Sequence, residues 1–132
     1  MVGVSMELLC YANKNEKIHL SFHPCVNTGR NIAWEEWHAA EPLLIYATDY
    51  AMLLPCFMRV FPLINPANGE VQDAFDLCIS NWIGREDWHR IIECMKSNVP
   101  SQENEVIFFN QLLNWLEAQL SWADMIVVDG NL

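Results

Sequence analysis

From Pro42 to Ile64 the chain reads PLLIYATDYAMLLPCFMRVFPLI, and only Asp49 and Arg59 in it are charged. No other stretch is as apolar for as long. It is long enough to cross a bilayer. However, Asp49 and Arg59 would lie in the hydrocarbon, and Pro42, Pro55 and Pro62 would interrupt a spanning helix. The basic flanks that orient a span are missing. The stretch therefore reads as the buried centre of a domain in water, with the rest of the chain arranged around it.

There is enough apolar material for that. Of 132 residues 52% are hydrophobic and only 18% charged, a balance that argues against disorder and fits one domain over 1–132. The cysteines Cys10, Cys25, Cys56, Cys78 and Cys94 are odd in number and form no CxxC. The N-terminal residues lack the basic segment and apolar run of a secretion signal. Together these predict reduced, mostly buried thiols in a cytoplasmic protein, with Cys25, after Pro24, the one exposed thiol.

Local patterns predict the elements. Residues 4–12 and 17–23 are expected to pair as a small N-terminal β-hairpin across the turn at Asn13 to Glu16. Ile18, Leu20 and Phe22 would face inward, with Lys17, His19, Ser21 and His23 in water. Asn31 can cap a helix beginning at Ile32, and 43–54 reads as a helix apolar nearly all round. Helical spacing also runs through Val71, Ala74, Phe75, Cys78, Ile79 and Trp82, which predicts a helix over 70–83 stopped by Gly84. Trp88, Ile91, Ile92 and Met95 mark a helix over 86–97, with Glu86 and Arg90 paired on its outer side. Ser101 caps a long last helix to about Ala123, and Met125 to Val128 has the composition of a short C-terminal strand. The expected fold is mainly α (α+β): a compact bundle of five or six helices with that hairpin and strand.

Chemistry is harder to find. His19, His23 and Cys25 read HxxxHxC, but ligands four apart on a strand lie about 13 Å apart, too far for one zinc. No tightly bound transition metal and no cofactor is expected. Glu35 and Glu36 beside His38, with Asp49, could form an acid–base site. The alternative is an amphipathic helix with Trp34 and Trp37 in the core, and a structural ion pair between Asp49 and Arg59.

Charge offers more. The net charge is −10, with −2 over residues 1–66 and −8 over 67–132. An acidic surface repels nucleic acid and anionic membranes and favours basic protein surfaces. Three outer helix faces would carry it: Glu70, Asp73 and Asp76; Glu86, Asp87 and Glu93; Glu103, Glu105 and Glu117. In size, acidity and lack of a catalytic motif the chain is similar to small bacterial immunity and antitoxin proteins, a likeness of character that covers no specific residues. It implies an inhibitor whose partner is a basic protein, such as a toxin or nuclease domain. Enzyme and subunit of a larger complex are the alternative readings.

Overall fold

The computed structural model describes residues 6–29 and 31–132. In chain order the elements are β1 Met6–Glu7, β2 His19–Cys25, α1 Trp34–Trp37, β3 Leu43–Tyr46, α2 Ala47–Tyr50, α3 Leu54–Val60, β4 Leu63–Ile64, β5 Val71–Gln72, β6 Ser80–Gly84, α4 Arg85–Ser97, α5 Glu103–Leu120 and β7 Met125–Gly130. Five strands form one sheet in the order β1-β3-β2-β7-β6, and β4 and β5 form a separate hairpin. The architecture is α+β with a sheet at its centre, which corrects the helical-bundle expectation.

The sheet's two faces follow from strand alternation. Leu20 and Phe22 of β2, Leu43 and Ile45 of β3, Ile126 and Val128 of β7 and Ile83 of β6 point into the larger core. There they meet Phe57 of α3, Trp88 of α4 and Phe108, Leu112 and Leu116 of α5. Trp88 is wholly buried, packs on Phe22 and Phe57, and donates its indole N–H to the Ile126 carbonyl at 3.1 Å. The opposite face is smaller: Cys25, Met125 and Val127 lie under Trp37 of α1.

Several local expectations fail, each for a physical reason. Residues 43–46 form a strand because a short run of bulky apolar residues has no period of its own, and pairing with β2 decides. The helix continues only as α2, and Pro55 lies in the first turn of a separate helix, α3. The hairpin of 4–12 with 17–23 does not form. Its first two residues lie outside the described residues, and β1 pairs in parallel with β3. Asn31 does not cap α1; it takes a left-handed φ of 60° and Ala33 occupies the cap position. The predicted helix over 70–83 is β5, a turn-rich connection and β6.

The organiser of that last region is Asn81, which is fully buried. Its amide donates to the carbonyls of Asp76 at 2.8 Å, Ile79 at 3.2 Å and Val128 at 2.9 Å. Its Oδ1 accepts from the Asp76 N–H at 2.9 Å and from Gln72 Nε2 at 2.7 Å. A buried polar group satisfied this way overrides helical spacing. The same loop crosses β7 closely, since a Cβ on Gly130 would stand 2.0 Å from the Leu77 carbonyl oxygen.

The two long helices match expectation. Trp88, Ile91, Ile92 and Met95 of α4 are buried, as are Phe109, Leu112, Leu113, Leu116 and Leu120 of α5. Gln102, not Ser101, is the α5 cap, and Arg90 pairs with Asp87 at 3.1 Å instead of with Glu86. The thiol expectation inverts: Cys25 is buried and Cys78 is exposed. Among the described residues no helix is long and apolar enough to cross a membrane.

Candidate partner-binding site

The β4–β5 hairpin presents an apolar pair in water. Leu63 points into the core, so by alternation Ile64 points out. Ile64 lies directly across from Val71, and the two are 61% and 65% exposed. The turn that presents them is stiff. Asn65 accepts the amide of Ala67 on its side chain and that of Gly69 on its carbonyl, both at 2.8 Å. Gly69 takes the positive φ of 77° that closes the turn, and Asn68 Oδ1 accepts the Glu70 amide at 2.9 Å.

A depression flanks the pair on either side. One, of about 390 Å³, is lined by Ile64, Pro66, Arg85, Glu86, Asp87 and Asp124. The other, of about 270 Å³, is lined by residues including Glu70, Val71, Ile79 and Trp82. Acidic residues thus rim the apolar knuckle, and Asp73 and Asp76 follow in the β5–β6 connection. Arg85 lies among them, its Nη2 donating to the Ala123 carbonyl at 2.8 Å, and its single charge offsets only part of the carboxylates around it.

Five of the nine predicted carboxylates, Glu70, Asp73, Asp76, Glu86 and Asp87, therefore belong to the hairpin and the segments around β6. The other four lie elsewhere on the long helices. Glu93 and Glu117 line an α4–α5 groove, where Lys96 pairs with Glu117 at 3.0 Å. Glu103 and Glu105 occupy the first turn of α5, where Glu105 accepts the Tyr11 hydroxyl. The sequence pattern places Ile64 at the end of the buried apolar stretch and Val71 in the apolar set of a helix; the structure exposes both. The loop signal Asn65 to Gly69 between Leu63-Ile64 and Val71 was the available clue.

The acid–base constellation is not assembled. Asp49 is fully buried, and its carboxylate accepts the backbone N–H groups of Cys10 at 2.8 Å and Tyr11 at 2.7 Å, with Ala12 at 3.3 Å. These donors take the place predicted for Arg59, which is exposed. His38 sits between Trp34 and Trp37, at ring separations of 3.7 and 3.6 Å, and donates Nδ1–H to the Trp34 carbonyl at 2.8 Å. Glu35 and Glu36 are exposed on α1, and among the described residues neither hydrogen-bonds His38.

His23 is the other correction, for it lies inside, beneath α1, with Trp37 and His38 against its ring. Its Nε2 shares a 2.8 Å hydrogen bond with Ser21 Oγ, and Ser21 Oγ stands a long 3.4 Å from the Asp129 carbonyl. Among the described residues Nδ1 is left buried without a partner. His19 bonds the Lys17 carbonyl instead, and among the described residues no group of three or more His, Cys, Asp or Glu could hold a metal ion.

Burial, reinforced by the neighbouring His38 and opposed by Asp129, pushes the His23 imidazole down to about 4. Below about pH 6.5 the unfolded chain takes up a proton that the folded chain refuses, so stability is full above 6.5 and falls as the pH drops toward 4. Melts at pH 7 and 4.5 are expected to show the wild type losing about 2–3 kcal/mol more than His23→Gln. Equal losses would place His23 in water.

The fold and this surface define a small α+β protein with an acid-rimmed apolar knuckle. Compared with protein-family models, with curated proteins and with solved structures, the chain matches none.

Proposed function

We propose that this is a cytoplasmic binding protein that neutralises a basic protein partner, in the manner of an immunity or antitoxin inhibitor of a toxin or nuclease domain. The observation that carries the reading is the exposed Ile64–Val71 pair, held on a stiff hairpin between depressions rimmed by Glu70, Glu86, Asp87 and Asp124. An apolar centre with a polar rim is the anatomy of a protein interface. The acidic rim selects a basic surface and steers it in, while repelling nucleic acid and anionic membranes. On a nuclease, the Lys and Arg that grip phosphates would pair with these carboxylates, and Ile64 and Val71 would dry the contact. The acid around the apolar pair favours this reading over a subunit buried in a larger assembly.

The test begins with recovery of the partner from native lysate and its identification by mass spectrometry. Association is expected to slow about tenfold or more between low and physiological salt. Glu70→Gln with Glu86→Gln is expected to reduce that salt slope, and Ile64→Ala with Val71→Ala to speed dissociation. Binding that ignores salt and tolerates all four substitutions would sink the proposal.

A further inference from the structure

A second groove, of about 600 Å³, lies beside α1. Its lining includes Cys25, Val26, Ala39, Ala40, Glu36 and Trp122. Val26 and Trp122 are 49% and 46% exposed, although each is large and apolar. Trp122 is held in place by its indole N–H on Gln119 Oε1 at 3.2 Å. The Cys25 floor is an uncharged thiol, pushed up to about 11 by burial. Glu36 is the one ionisable carboxylate in the lining, oriented by the Thr28 hydroxyl, and among the described residues no Lys or Arg lines the groove. Apolar walls, an indole and one steered carboxylate are complementary to a side chain with an aliphatic stem and a planar cationic head.

We infer that this groove seats an arginine side chain of a partner, its stem along Val26, Ala39 and Trp122 and its guanidinium on Glu36. The groove adjoins the hairpin surface through Asn27, which donates its backbone N–H to Asp124 at 2.7 Å and its side-chain amide to the Pro66 carbonyl at 2.9 Å. A partner on the knuckle can therefore reach both. The inference takes its source of arginine from the basic-partner reading, but the groove can be tested without any partner.

The probe is N-acetyl-arginine-N-methylamide, titrated into the isolated protein and followed by amide and indole NMR shifts. Saturable shifts at Val26, Thr28, Glu36 and the Trp122 indole N–H are expected, with affinity in the millimolar range. The citrulline analogue, equal in shape but uncharged, is expected to bind about tenfold more weakly, and Glu36→Gln and Trp122→Ala to cost a similar factor each. Glu36→Gln keeps an acceptor for Thr28, so its fold should survive, and its spectrum checks that directly. Equal binding of the citrulline analogue, shifts spread over all surface acids, or no saturation would each overturn the arginine seat. Loss of the hairpin effects with the probe result intact would overturn only the partner reading.

Discussion

Asp49→Ala is expected to destabilise the protein by about 3–5 kcal/mol, a large share of the roughly 5–15 kcal/mol that holds a typical domain folded. The carboxylate is wholly buried and gathers three successive backbone N–H groups, from Cys10, Tyr11 and Ala12. Hydrogen bonds to an ionised acceptor contribute about 1.5–3 kcal/mol each, and the partial exposure of the 10–12 segment lets water recover some of the loss. Asp49→Asn should lose less, about 2 kcal/mol, because one oxygen still accepts while the new amide faces donors. Arg59→Ala should be near neutral, since Arg59 is exposed. Denaturant melts of the three variants rank them. An Asp49→Ala variant that melts within about 0.5 kcal/mol of the wild type would mean that these donors are satisfied by solvent.

Asn81→Ala is the second large effect, with an expected cost of about 3 kcal/mol. The substitution strips the side-chain partner from the Asp76 N–H, removes one donor from the Val128 carbonyl, and frees Gln72 from the loop it ties down. Because the loop enters edge strand β6, the damage should be local first. Hydrogen exchange at the Asp76 amide is expected to accelerate well before exchange in α5 does. Asn81→Asp should be no better, since it keeps an acceptor for Asp76 but presents a carboxylate to the Val128 carbonyl. If both variants match the wild type in melts and exchange, Asn81 is not what holds 72–81 out of a helix. That loop precedes the hairpin's neighbour β6, so partner binding at Ile64 and Val71 should weaken with Asn81→Ala even where the bulk fold persists.

What could be read from the sequence was whatever a single element decides alone. The stripes of α4 and α5 determined those helices and their inner faces, because a helix satisfies its own backbone and needs only one apolar side. The apolar environment of Asp49 determined that the carboxylate is inside. The excess of carboxylates over cations after residue 66 determined the sign of the surface. Tertiary structure decided the rest, because strands satisfy their backbone only through partners distant in the chain. Residues 43–46 became a strand through β2, and the polar side of β2 became interior once Trp37 closed over His23 and Val127. Helical spacing between Val71 and Trp82 lost to five hydrogen bonds on Asn81, three of whose partners, Gln72, Asp76 and Val128, lie more than one helical turn away. The partner of Asp49 was decided in the same way. An acid ten residues from a base suggests an ion pair, but the fold brought the backbone of Cys10, Tyr11 and Ala12 to it instead, about forty residues away along the chain.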